Sequence, residues 1–320
     1  MRCEVGPILR GWSDLTYDPR RIFIGSAGSR GARVIIVRLM GGLGNQLFQY
    51  AAGRRLSLTL GVPLKLDIGT YRQRSQNTQR AYELNRFCIE AGIATAWEVA
   101  SSRGPRFLTR ITKPLGLLPR LVLERGFAFD PAILHLGDGR YLEGYWQSYR
   151  YFADVAPQIR RELAVRMPAS DADRKLLDRM AQCDSILLHV RRGDYAANPT
   201  VQQVHGLCTL DYYQRAVEAL AARLRAPKLF VFSDDMPWVK QHLRFALPTT
   251  HVEHHGTDNA PLELRLMAGC RHFVLANSSL SWWAAWLASS EESIVYAPQS
   301  WFADPSIDTS ELTPAAWQRI

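Results

Sequence analysis

Between Arg33 and Ile68 the apolar positions change period twice. Arg33 to Leu39 (RVIIVRL) is a short β-rich run, Met40 to Asn45 (MGGLGN) a glycine-rich turn, and Gln46 to Leu60 a stretch of helical spacing stopped by Gly61 and Pro63. Val62 to Ile68 then returns as a strand, giving one β-loop-α-β unit, the building block of a parallel sheet. Residues 70–165 lack so clear a period; Pro and Gly punctuate 104–119, and an aromatic cluster of Tyr145, Trp146, Tyr149, Tyr151 and Phe152 follows. From Ser185 the alternation resumes. It predicts strands over 185–190, 228–232, near 250, 272–276 and 293–297, with helices over 211–224, from about 235, over 260–268 and over 279–289 between them. Strand and helix taking turns is the pattern of an open α/β sheet. The expected organisation is an extension over 1–32 outside the core, a Rossmann-like domain over 33–168 and a second over 169–320, with the boundary near Met167 to Ser170.

A chain of 320 residues suits two such domains. Its 47% hydrophobic and 22% charged residues exclude a disordered or fibrous protein. No stretch approaches the roughly 18 uninterrupted apolar residues of a membrane-crossing helix. The first thirty residues carry Arg2, Arg10, Arg20, Arg21 and Arg30 without an apolar run before a cleavage site, so no secretory signal is read and a cytoplasmic location is expected. Cysteines at 3, 88, 183, 208 and 270 are odd in number and scattered, which fits reduced thiols better than a disulfide framework or a zinc site. Lys and Arg exceed Asp and Glu by 39 − 30 = 9, favouring an anionic partner: a phosphorylated small molecule, nucleic acid or an acidic membrane face.

In an open parallel sheet, ligands sit beyond the carboxyl ends of the strands. The residues just after the predicted strands form one polar rim: Gly41, Gly42, Gly44, Asn45 and Gln46; Arg191, Arg192 and Asp194; Ser233, Asp234 and Asp235; Asn277, Ser278, Ser279 and Ser281. Arg191 and Arg192 place two permanent charges there, and planar guanidinium forks suit the oxygens of a diphosphate. A structural ion pair with Asp194 is the alternative. The glycine turn departs from a dinucleotide fingerprint, since the third glycine of G-x-G-x-x-G would fall at Leu47. Ser233 to Asp235 and Asn277 to Ser279 also suit helix caps. Trp282, Trp286 and Leu287 form one apolar helix face, expected in the core rather than against a sugar. For a metal the single D-x-D, Asp171-Ala172-Asp173, follows Ser170 away from every strand end and reads as helix-start charge, while adjacent His254 and His255 are poorly spaced for shared ligation. No metal is expected; the arginines supply the positive charge.

At these residues the sequence resembles the alpha-1,2-fucosyltransferases of glycosyltransferase family 11. GGLGNQLFQYAAGRRL at 41–56, HVRRGDY at 189–195, FVFSDD at 230–235 and FVLANSSLSWWAAWL at 273–287 stand in the family's order, with GYWQSYRYF at 144–152 and HGLC at 205–208 as softer similarities. The resemblance implies a GT-B arrangement of two Rossmann-like domains facing across a cleft. GDP-fucose would bind mainly to the carboxyl-terminal half, through His189, Arg191, Arg192, Ser233, Asp234, Asp235, Asn277, Ser278 and Ser279, and Gly42, Gly44, Asn45 and Gln46 would line the donor and acceptor side. It further implies inverting, metal-independent transfer of fucose to the 2-hydroxyl of a galactose-terminated glycan, lipid-linked acceptors included, by a bacterial-type enzyme that is cytoplasmic or peripheral at the inner membrane. Arg191 would contact the departing diphosphate with Arg192 beside it. Asp194 is the candidate base, with the holding of an arginine as its equal alternative. A different GDP-sugar or linkage is the nearest rival. A nucleic-acid-binding protein is disfavoured, because no motif of that kind is present and the acidic strand-end residues would repel a phosphate backbone; a lectin-like module leaves the arginines without a purpose.

Overall fold

The computed structural model describes residues 34–72, 80–103, 120–193, 199–255 and 259–320. The extension read over 1–32 lies outside them. The described chain falls into two compact units that divide between Ala164 and Val165, each built on its own parallel sheet.

The amino-terminal unit runs β1 (Ile35–Arg38), α1 (Leu43–Leu60), β2 (Leu64–Asp67), α2 (Gly69–Arg72), β3 (Gly92–Ile93), α3 (Ala96–Arg103), β4 (Leu121–Leu123), β5 (Tyr141–Glu143) and α4 (Ala156–Glu162). Its strands lie in the order β3-β2-β1-β5-β4. Ile35 pairs with Leu64 on one side of β1, and Ile36 with Tyr141 on the other. Helix α1 starts at Leu43, earlier than its spacing suggests, so Gly44, Asn45 and Gln46 lie in its first turn and Gly42 is the N-cap. The first turn tolerates glycine because its N–H groups have no intrahelical partner to lose. Thirteen of its eighteen residues are buried, among them Arg54. That guanidinium meets Glu162 of α4 (Nη2 to Oε1, 2.6 Å), and the Tyr50 hydroxyl donates to the same carboxylate. A buried ion pair of this kind costs several kcal/mol to break on one side, about 3–5, because the remaining charge stays buried.

The carboxyl-terminal unit runs α5 (Asp171–Ala181), β6 (Asp184–Val190), α6 (Pro199–His205), α7 (Leu210–Ala221), β7 (Pro227–Ser233), α8 (Met236–His242), β8 (Thr249–His251), α9 (Ala260–Met267), β9 (His272–Val274), α10 (Ser279–Ala288), β10 (Val295–Ala297) and β11 (Gln318–Arg319). The sheet order is β11-β10-β9-β6-β7-β8. Strand β6 is buried along nearly its whole length, with Ile186, Leu187 and Leu188 as its apolar centre, because both its faces are covered, as in parallel sheets generally. It pairs with β7 from Asp184↔Pro227 to Val190↔Ser233, and with β9 from Ile186↔His272 to Leu188↔Val274. Against it α7 lays Tyr212, Tyr213, Ala216, Val217 and Leu220, one helical face. The D-x-D segment opens α5 through a capping box: Ser170 Oγ accepts the Asp173 N–H at 3.1 Å, and Asp173 Oδ2 accepts that of Ser170 at 3.2 Å.

Cys183, Cys208 and Cys270 are free, as expected, whereas Cys88 is disulfide-bonded, which corrects the expectation of reduced thiols there. Scattered cysteines give no spacing from which that bond could be read. Among the described residues no helix is long and apolar enough to cross a membrane.

Candidate functional site

In the carboxyl-terminal sheet the chain direction across the sheet reverses at β6, with β7 and β8 on one side and β9, β10 and β11 on the other. Such a reversal opens a crevice beyond the carboxyl ends of the two strands that flank it, here β6 and β9. Arg191 and Arg192 follow β6 directly. Asp234, one residue past β7, holds both: its Oδ2 lies 3.1 Å from Arg191 Nη1, and its Oδ1 accepts the Arg192 main-chain N–H at 2.8 Å. The Arg192 guanidinium carbon stands 3.7 Å from the centre of the Trp238 ring, a cation–π contact, with Nε 3.7 Å from Asp235 Oδ2. Asp235 also caps α8, accepting the Trp238 N–H at 3.2 Å, so one short turn sets both the carboxylate and the ring. Gly193 has no room for a side chain, because a Cβ would lie 2.6 Å from Asp234 Oδ2. Among the described residues, Asp234 and Asp235 of the β7 turn bring carboxylates to the two guanidinium groups. Asp194 lies outside the described residues.

The third strand end is divided between structure and surface. Asn277 is buried and donates to the carbonyls of His205 (2.8 Å), Trp301 (3.3 Å) and Gly206 (3.4 Å), tying the α6 turn to the sheet. Ser278 is the N-cap residue of α10, yet its hydroxyl makes no cap bond, and Ser279 starts the helix half-buried. Side-chain capping, the expectation for this segment, is therefore absent at Ser278, and the amino end of α10 faces the carboxyl end of β9 with its dipole favouring an anion. Ser233 Oγ accepts the Asp235 N–H at 3.0 Å and steadies the neighbouring turn.

Two titratable groups flank the Arg191–Asp234 pair. Burial pushes His189 down to about 4, against the pull of Asp234 and with the help of Arg191, and its Nδ1 has no hydrogen-bond partner among the described residues. Glu263, in α9, is pushed up to about 7, first by burial and then by Asp234, with Arg191 opposing. Sequence reasoning missed Glu263 because it sits inside a helix rather than after a strand; an acid within the apolar run PLELRLM was the available signal. Their effects on stability oppose each other. His189 takes up its proton on unfolding, so between about 4 and its ordinary 6.5 it makes stability rise with pH; Glu263 releases one, so between its ordinary 4.3 and about 7 it makes stability fall with pH. In the shared window the two slopes oppose each other. Relative to the parental protein, Glu263→Gln is expected to make the slope of stability against pH more positive, by up to about 1.4 kcal/mol per unit, and His189→Gln to make it more negative by a similar amount. Urea titrations of both variants at pH 4.5 to 6.5 test this, and equal slopes in the two would refute it.

In the amino-terminal sheet the reversal falls between β1 and β5. Gly41, with φ +77°, turns the chain into α1, and its carbonyl accepts the Tyr71 hydroxyl at 2.9 Å. Gln46 is fully buried: its Nε2 donates to Ala81 O at 2.8 Å and its Oε1 accepts the Glu83 N–H at 3.0 Å. Asn45 Oδ1 accepts Gln147 Nε2 at 2.7 Å, bridging the segments that follow β1 and β5. Glu124 accepts the main-chain N–H groups of Tyr145 (2.6 Å) and Trp146 (2.8 Å), and Trp146 is buried at a φ of +56°, a costly conformation for a bulky residue. A Cβ at Gly42 would meet the Arg80 guanidinium, with Nη1 at 3.8 Å, rather than that bridge. Tyr71 and Glu124 were not legible beforehand, since each joins the rim from a segment without clear period.

Two parallel-sheet α/β units are the architecture of the GT-B fold. A mutant of Arabidopsis thaliana FUT1 in complex with GDP aligns with a TM-score of 0.52 over 88% of this chain and 74% of that one, at 11% identity. The Glycosyl transferase family 11 profile matches residues 133–319, more than half the sequence, and the chain belongs to that family. An Escherichia coli alpha-1,2-colitosyltransferase is 29% identical over 296 residues, 90% of this chain and 99% of that protein. The O-antigen biosynthesis glycosyltransferase WbnK of Escherichia coli is 31% identical over 87% of this chain and 98% of its own. Mouse galactoside alpha-(1,2)-fucosyltransferase 2 is 26% identical over 48% of this chain and 46% of its own.

Proposed function

We propose that the protein transfers L-fucose from GDP-beta-L-fucose to the 2-hydroxyl of a terminal galactoside, with inversion and without a metal ion at the diphosphate. The observation that carries the reading is the fixed arginine pair beyond β6, at the reversal of the sheet and beside the start of α10. When the sugar C1–oxygen bond breaks, negative charge gathers on the departing GDP while the ring becomes oxocarbenium-like. Donors already fixed where that charge appears lower the barrier. Asp234 and Trp238 orient the guanidinium groups in advance, so little reorganisation accompanies the step. Asp194, next to the arginines in sequence, is the proposed acceptor of the hydroxyl proton. The excess of basic residues suits an acceptor carried on a lipid at an anionic membrane face.

A second reading has an observation of its own: the relative matched over 90% of this chain is a colitosyltransferase. Colitose is fucose without the 3-hydroxyl, so both readings share the linkage and the nucleotide. Purified protein incubated with GDP-fucose or GDP-colitose and a panel of galactosides, with and without EDTA, separates them by product NMR. The expected result is an alpha-1,2-fucosylated galactoside at a rate EDTA does not change. Product from GDP-colitose alone establishes the second reading, and loss of product in EDTA overturns the metal-free chemistry. In the same assay Asp194→Asn is expected to abolish the acidic limb of the pH-rate profile; a retained limb removes Asp194 as the base.

A further inference from the structure

Two sequence features that the proposed reaction does not use, the D-x-D at 171–173 and the histidine pair 254–255, are brought together by the fold. Asp173 lies in the first turn of α5, and His254 and His255 follow β8, 81 and 82 residues further on. Side chains of adjacent residues in extended chain point to opposite sides. Here a bend turns both rings the same way, their centroids 4.6 Å apart, so that Nε2 of His255 lies 2.6 Å and Nε2 of His254 3.1 Å from the single oxygen Asp173 Oδ1. One ligand atom from each of the three residues falls within 4.8 Å of the others.

We infer that Asp173, His254 and His255 form a binding site for one divalent transition-metal ion of the zinc type, built from residues other than those of the arginine rim. Two imidazoles and one carboxylate are a donor set for zinc, cobalt or nickel rather than for magnesium or calcium. An ion about 2.0–2.2 Å from each donor takes the place of the ring hydrogens that otherwise point at Asp173 Oδ1. The second carboxylate oxygen is already occupied by groups that orient it: Arg265 Nη2 at 3.1 Å and the Ser170 N–H at 3.2 Å. Arg265 is itself anchored on Met167 O at 2.6 Å. Hydrogen-bonded support of this kind fixes a ligand before the ion arrives. Asp173 is buried, whereas the His254 side chain is 35% exposed, so the ion enters from the His254 side and water completes its shell. The bound ion cross-links the start of α5 to the bend after β8, closing a long loop, and it takes no part in sugar transfer.

The test uses untagged, EDTA-stripped full-length protein and zinc alone, by equilibrium dialysis and thermal unfolding, with cobalt absorption as the signature of the coordination. The parental protein is expected to bind one zinc, to unfold at higher temperature with it, and to give visible cobalt bands. His254→Ala/His255→Ala, altered where one ring is exposed and the chain is bent, is expected to bind zinc at least tenfold more weakly and to lose the cobalt bands. It is also expected to keep its transfer rate, which separates this site from the proposed reaction. Absence of a zinc equivalent in the parental protein, or unchanged zinc affinity in the double variant, overturns the inference.

Discussion

Arg191→Ala is expected to lower the rate of glycosyl transfer by about 10² or more while the protein stays folded. A charge-assisted bond contributes about 1.5–3 kcal/mol, which by itself is about tenfold to a few hundredfold in rate. The effect should exceed the lower bound, since removing Arg191 also leaves Asp234, whose side chain is 7% exposed, without its partner at 3.1 Å, a bare negative charge beside the proposed diphosphate position. Arg191→Lys is expected not to restore the rate. A lysine ammonium is a point charge and cannot serve a carboxylate and a phosphate at once from one planar fork. Steady-state kinetics with a saturating acceptor, beside circular dichroism, decides the matter; transfer at the parental rate by Arg191→Ala removes the arginine from the reaction.

The largest effect on stability is expected at Trp282. The residue is fully buried, its indole Nε1 donates to Leu312 O at 2.8 Å, and its ring meets those of Trp283, Trp286 and Trp317 at centroid distances of 5.2, 6.2 and 5.4 Å. Trp282→Ala empties a large volume and orphans a buried carbonyl, for an expected loss of about 3–5 kcal/mol. The Trp97→Ala control, at a position 77% exposed, should fall within about 0.5 kcal/mol of the parental protein. Urea midpoints at unchanged slope measure both. A loss below about 1 kcal/mol at Trp282 would mean the indole is not packed as the structure places it.

Legibility followed the physics of each segment. The strands at 184–190 and 227–233 were read within a residue of their ends because their buried apolar runs, Ile186 to Leu188 and Leu229 to Phe232, leave a continuous signal. Strands β3, β4 and β5 are two or three residues long, too short for any period, and their pairing is decided by partners far away in sequence. Strand β11, two residues against β10, escaped for the same reason. Trp282 and Trp286 were expected in the core and are there; Trp283 is buried too, because α10 is covered on more than one side, which a one-face reading does not anticipate. At the rim, Arg191, Arg192, Asp234 and Asp235 were legible as strand-end residues and do come together. Their pairing was not, since ion pairs between separate loops leave no trace in spacing. The meeting of Asp173 with His254 and His255 was hidden for that reason as well.

The bridge between Asn45 and Gln147 joins residues 102 positions apart, beside a β1–β5 pairing of Ile36 with Tyr141. Closing so large a circuit is entropically slow. During synthesis the ribosome must therefore release β5 before β1 acquires its second neighbour. Throughout that interval one flank of β1 keeps its main-chain groups unpaired, an edge open to other strands.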